Sequence, residues 1–119
     1  MDKETLCKKI MALDGAVRFV GLINVKGHLV AGGMVEGKST LEDVKHDEML
    51  YMELALRVRM RQEFDAELGS VKFAMSYRDK VIVQSFPLGK EILLVSAEKN
   101  LDFSKFPFLV LKLIEEFSK

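Results

Sequence analysis

The stretch from Val71 to Ala97 leaves this chain few options. Val71, Phe73, Met75 and Tyr77 alternate with Lys72, Ala74 and Ser76, the period of a strand with one buried face. Arg78-Asp79-Lys80 reads as a turn, Val81 to Phe86 as a second strand, Pro87-Leu88-Gly89-Lys90 as another turn, and Glu91 to Ala97 as a third strand. Connections this short cannot make a parallel crossover, which needs about a dozen residues or more. The segment is therefore an antiparallel meander. Ile92 to Val95 is apolar at consecutive positions, which places that strand centrally with both faces covered.

The first part of the chain adds two more strands. Leu6, Ile10 and Leu13 recur at helical spacing over residues 3 to 13, and the helix stops at Asp14-Gly15. Val17 to Val25 and His28 to Met34 flank Lys26-Gly27, a hairpin signal. After Gly32-Gly33 and Gly37, Ser39-Thr40 followed by Glu42-Asp43 reads as a helix N-terminus with an acidic first turn. The helix it opens is expected to run from about Leu41 to Leu68. A closing helix carries Phe106, Leu109, Val110, Leu113, Ile114 and Phe117 on one stripe. The order is α-β-β-α-β-β-β-α. That is an α+β fold with a five-stranded antiparallel sheet and three helices, one domain over residues 1–119.

The long helix does not divide cleanly into an apolar and a polar side. Advancing about 100° per residue, Met49, Leu50, Met52, Leu54, Ala55, Leu56, Val58 and Met60 spread around most of the wheel, while Glu53, Arg57 and Arg61 share one narrow line. A helix apolar around its circumference is buried on more than one side. In a chain this short the second cover is expected from another copy, the alternative being the first or last helix of the same chain, which makes Met49, Met52, Leu54, Leu56, Val58 and Met60 a candidate homodimer interface.

Composition narrows the function classes. With 119 residues and 49% hydrophobic side chains, one core forms without help from a metal or disulfide. The single Cys7 reads as a small core hydrophobe. Eighteen basic residues balance eighteen acidic ones, which removes the usual electrostatic case for a nucleic-acid partner. The N-terminal residues lack a secretory apolar stretch, and the longest apolar runs fall well short of the roughly 20 residues of a membrane span. A cytoplasmic protein with no membrane span is expected.

Gly32-Gly33-Met34-Val35-Glu36-Gly37-Lys38-Ser39 satisfies the phosphate-loop pattern G-x-x-x-x-G-K-S between a strand and a helix. In a true phosphate loop the backbone around Gly32 and Gly37 would cradle phosphates, Lys38 would reach the terminal one and Ser39 would hold magnesium. Here the preceding strand is one arm of a hairpin, and no later strand ends in an acidic residue suited to magnesium, so a Gly-rich connection is the plainer reading. Asp43, Lys45, His46, Asp47 and Glu48 crowd one stretch that could ligate a metal but reads as a solvated helix face. His28 reads as a turn residue, and no order or local motif suggests a Ser-His-Asp or Cys-His arrangement. Neither a cofactor nor catalysis is implied. Arg57, Arg59 and Arg61 make the helix locally basic. That suits either helix-surface pairing or steering of an acidic partner.

Leu13-Asp14-Gly15-Ala16-Val17 leading into the hairpin from Val20 to Gly33, the long middle helix, and the meander ending Ile92-Leu-Leu-Val-Ser-Ala together resemble the roadblock/dynein-light-chain family of the profilin-like group. The likeness covers nearly the whole chain. It implies a sheet ordered 2-1-5-4-3, with the middle helix on one face and the terminal helices on the other. It also implies homodimers that pair the middle helices and join the third strands edge to edge, which adds Val71, Phe73 and Met75 to the interface. The implied role is a non-enzymatic scaffold or regulator that touches a small GTPase or another signalling protein. Two alternatives stand beside it: a small-molecule sensor of the PAS or GAF type, and a nucleotide binder acting through Gly32, Gly37, Lys38 and Ser39.

Overall fold

The computed structural model describes residues 1–39 and 44–119. Helix α1, Lys3–Met11, starts where the Asp2 carboxylate accepts the Thr5 N–H at 2.8 Å, an N-cap that satisfies one orphan donor. Its Leu6, Cys7 and Ile10 face inward. Strands β1, Val17–Ile23, and β2, Leu29–Met34, are joined by a loop that Asn24 organises. The Asn24 side-chain oxygen accepts the N–H groups of Lys26 and His28, and Gly27 takes φ +80°. Helix α2, Val44–Gln62, and a short α3, Asp65–Leu68, lead to β3, Ala74–Tyr77, β4, Ile82–Leu88, and β5, Glu91–Ala97, before α4, Phe106–Ser118, closes the chain. Among the described residues no helix is long and apolar enough to cross a membrane.

The strands form one antiparallel sheet ordered β2-β1-β5-β4-β3, the order that the resemblance implies. Strand alternation divides its apolar side chains between two layers. On one face Val20, Leu22, Phe86, Leu93 and Val95 pack with Leu6, Cys7 and Ile10 of α1 and with Phe106 and Val110 of α4. On the other, Phe19, Ile23, Val83 and Leu94 pack with Leu54 of α2. Five strands at a spacing of about 4.8 Å span roughly 20 Å, and a helix with its side chains is about 10–12 Å wide. Among the described residues, two helices cover the first face, whereas α2 alone lies on the second.

Several boundaries differ from the sequence expectations. The middle helix ends at Gln62, not Leu68, and a fourth helix follows. At its end the N–H bonds of Glu63 and Phe64 run to Met60 and Arg61, three residues back, the tightened form of a last turn. The inward line of Leu54 and Val58 would continue through Arg61 and Asp65, so there is no apolar surface to hold a longer helix down. Strand β3 begins at Ala74, not Val71. In the β3–β4 register, Ala74 opposes Ser85; two residues further out Lys72 would oppose Pro87, which has no N–H to donate. Pro87 and Leu88 belong to β4, and only Gly89-Lys90 turns the chain. The β1–β2 connection is the five-residue loop Asn24 to His28, not a two-residue turn. The expected helix start at about Leu41, with Glu42 and Asp43 in its first turn, lies outside the described residues.

One glycine is indispensable to this packing. Gly32 opposes Gly21 across β1 and β2 and sits at φ +83°. A Cβ there would strike the Val20 carbonyl oxygen and come within 3.0 Å of Cys7 Sγ. Gly32→Ala is expected to cost at least about 2 kcal/mol in urea unfolding. Gly15→Ala, where a Cβ meets nothing within 4 Å, should change the midpoint little.

Candidate protein-interaction surface

Helix α2 carries two apolar lines on opposite sides. Leu54 and Val58 are buried under it, and Tyr51 beside them stacks on Phe19 of β1 with ring centroids 6.0 Å apart. Met49, Met52, Leu56 and Met60 point the other way and are each 57–61% exposed. Their spacing of three, four and four residues is that of a helix-pairing seam. Glu53 and Arg57 flank the seam as an i,i+4 ion pair at 3.5 Å. The expected interface set is thus divided: Leu54 and Val58 are spent in the chain's own core, and the four outward residues remain available.

Strand β3 is one of the two outer strands of the sheet, and among the described residues its far side has no strand partner. Met75 on it is exposed. Phe73 lies just before the strand, half-buried between the rings of Phe86 at 5.9 Å and Phe108 at 5.6 Å. Val71 lines a small recess with Val58 and Pro87. Beneath Met75, the buried Gln84 amide donates to its sulfur at 3.6 Å, while the Gln84 carbonyl oxygen has no partner. The α2 seam and the β3 edge are therefore two unpartnered elements on which an interface can be built, β2 being the sheet's other open edge.

The phosphate-loop pattern is laid out differently from a phosphate cradle. Gly32 is in β2, with its N–H donating to a Glu4 carboxylate oxygen at 3.0 Å. Gly37 takes φ +84° in the turn that the Lys38 N–H closes on the Val35 carbonyl. The Lys38 ammonium meets Glu98 Oε1 at 2.9 Å, and Arg18 approaches the same oxygen at 3.4 Å. Arg18 also donates to the Ser39 carbonyl at 2.7 Å. The hydrogen bond and charge of Lys38, followed by the charge of Arg18, hold the Glu98 carboxyl below its ordinary range. Sequence reasoning missed this three-residue cluster, whose members lie far apart along the chain and form no local motif. Among the described residues no three His, Cys, Asp or Glu side chains converge as a metal site. Burial pushes the Cys7 thiol up to about 11, so it is protonated and inert at neutral pH.

A family model described as a family of unknown function (DUF6659) matches residues 1–119, the whole chain. The chain belongs to the DUF6659 family. No curated protein matches it. Among solved structures the DUF6659 chain is similar to a roadblock/LC7 domain from Streptomyces avermitilis, with a TM-score of 0.75 at 11% identity over 99% of this chain and 96% of that one. It is also similar to MglB from Myxococcus xanthus, with a TM-score of 0.72 at 14% identity over 97% and 90% of the two chains. A structure of MglB with a tetrameric arrangement aligns with a TM-score of 0.65 at 16% identity over 94% and 87%. The DUF6659 chain therefore has the roadblock-like, profilin-like fold.

The ion cluster makes a pH-dependent prediction for this DUF6659 chain. Glu98 has a lowered carboxyl pKa in the folded state. Its contribution is present above the unfolded value, near 4.5, and is lost as pH falls through the lower folded one. Glu98→Gln should lower the urea midpoint at pH 7 and leave it unchanged at a pH below the folded value, where wild-type Glu98 is protonated too.

Proposed function

We propose that the chain is a homodimeric, non-enzymatic protein-interaction module, one domain over residues 1–119, acting in the cytoplasm as a scaffold or regulator. The observation that carries this reading is the outward α2 seam of Met49, Met52, Leu56 and Met60 lying opposite a fully used inward line. Two copies would pair these seams and join their β3 edges, making one continuous sheet; Met75 would lie along that junction, with Val71 and Phe73 at its end. Full burial of a Met or Leu contributes roughly 1.5–3 kcal/mol. Scaled to an exposure near 60%, four such side chains from each copy supply on the order of 10 kcal/mol. That is comparable to the roughly 4–15 kcal/mol lost on association. The seam alone therefore gives a marginal dimer, and the backbone bonds of the β3 junction supply the remainder. The tetrameric arrangement of MglB, a protein of this fold, accords with self-association.

The partner would be a small GTPase or another signalling protein, as the roadblock resemblance implies. The non-enzymatic role is likewise what that resemblance implies.

Leu56→Glu places two like charges at the centre of the paired seams. Sedimentation equilibrium should report a dimer for the wild type and a dissociation constant raised by about a hundredfold or more for the variant, with the same far-UV spectrum. A wild-type monomer at tens of micromolar, or a variant that dimerises as tightly as the wild type, would remove the seam from the proposal.

A further inference from the structure

The face that α2 covers alone is incompletely filled. Beneath the N-terminal half of the helix, His46, Asp47, Leu50 and Tyr51 stand across from Phe19, Val83, Leu94 and Ser96 of the sheet, enclosing a cleft of about 690 Å³. This volume lies within the roughly 300–1,000 Å³ of small-molecule sites. Its walls are mainly apolar, and the stacked rings of Phe19 and Tyr51 form one side. Among the described residues, Arg18, Arg78 and Lys80 line it with Asp47 and Asp79, and the turn Arg78-Asp79-Lys80 at its mouth carries one net positive charge. Arg18 is held by Glu98 and the Ser39 carbonyl. Among the described residues neither Arg78 nor Lys80 makes an ion pair, and the Ser96 hydroxyl makes no hydrogen bond.

We infer that this cleft is a binding site for a small monoanionic molecule with a flat aromatic body. The aromatic body lies between the Phe19–Tyr51 side and the Val83 and Leu94 floor, where an apolar ring replaces water against apolar walls. The acidic group lies at the mouth, beside Arg78 and Lys80. A guanidinium offers a carboxylate two parallel N–H donors, and an ammonium adds a point charge. The site is separate from the α2 seam, which lies on the opposite side of the same helix, so the two can be tested apart.

The probe is 2-naphthoate, with the neutral 2-naphthamide as its match in shape, each titrated into the full chain by calorimetry. Saturable binding of one naphthoate per chain is expected, with naphthamide about tenfold weaker or more. Ser96→Phe, which fills the cleft from the sheet side, should abolish binding. The double variant Arg78→Ala, Lys80→Ala changes only exposed residues of the turn. It should weaken naphthoate about tenfold and leave naphthamide unchanged, which keeps the test decisive even where Ser96→Phe fails to fold. Leu56→Glu, on the seam, should bind naphthoate as the wild type does. Failure of naphthoate to saturate at millimolar concentration overturns the inference. So does equal affinity for the two probes, or loss of binding in Leu56→Glu, which would place the probe on the seam.

Discussion

A single helix cannot cover a five-stranded face. The sheet buries its three inner strands, β1, β5 and β4, from both sides, and on one side α1 and α4 share the task while on the other, among the described residues, α2 has it alone. Leu54 pins the middle of that helix to Phe19, Ile23, Val83 and Leu94, and Val58, also buried, lies one turn on. Leu50 and Tyr51 pack against the same cluster, and the space beyond them stays open. The cleft under the N-terminal half of α2 and the shallow groove between its Glu53–Arg57 flank and β3 both follow from the mismatch between one helix width and five strand spacings. The apolar seam on top of α2 is different in kind. Covering the sheet does not require it, so its retention on an exposed helix points outward.

Much of this architecture was legible in the residues. The alternation from Phe73 to Tyr77 and the short turns after it dictated an antiparallel meander, and the unbroken Ile92 to Val95 run gave away the central strand with cover on both faces. These are local signals, and local signals survive folding. The start of β3 was not local: it depends on which β4 residue stands opposite, and Pro87 takes effect only through that register. The division of α2 was hidden for a related reason. A wheel that is apolar all round names the buried residues without saying which arc meets the sheet, so Leu54 and Val58 could not be separated from Met49, Met52, Leu56 and Met60.

The Gly-rich connection shows how a motif can match in letters and differ in placement. Its first glycines serve the β1–β2 ladder, where Gly32 lets two backbones approach each other over Cys7. Its lysine is taken up by Glu98 at the far end of β5. Both assignments depend on chain segments distant in sequence. The charges of Arg18 and Lys38 thus tie the exit of β2 to the end of the central strand and leave the cations of the cleft mouth, Arg78 and Lys80, on a separate turn.

The sheet order has a consequence for how the chain folds. Hairpins β1–β2, β3–β4 and β4–β5 each close over short connections, but the central joint sets Val17 against Ala97, nearly the two ends of the chain. Neither half can cover its apolar strands until the other arrives, and the segment between β1 and β5 that must close contains α2, α3 and the three strands β2, β3 and β4. Folding is then limited by this late, long-range closure rather than by any hairpin. A chain opened at the exposed Gly69 would yield two fragments, one carrying β1 and one carrying β5. Each would stay loosely structured alone and acquire a fixed core only on meeting the other.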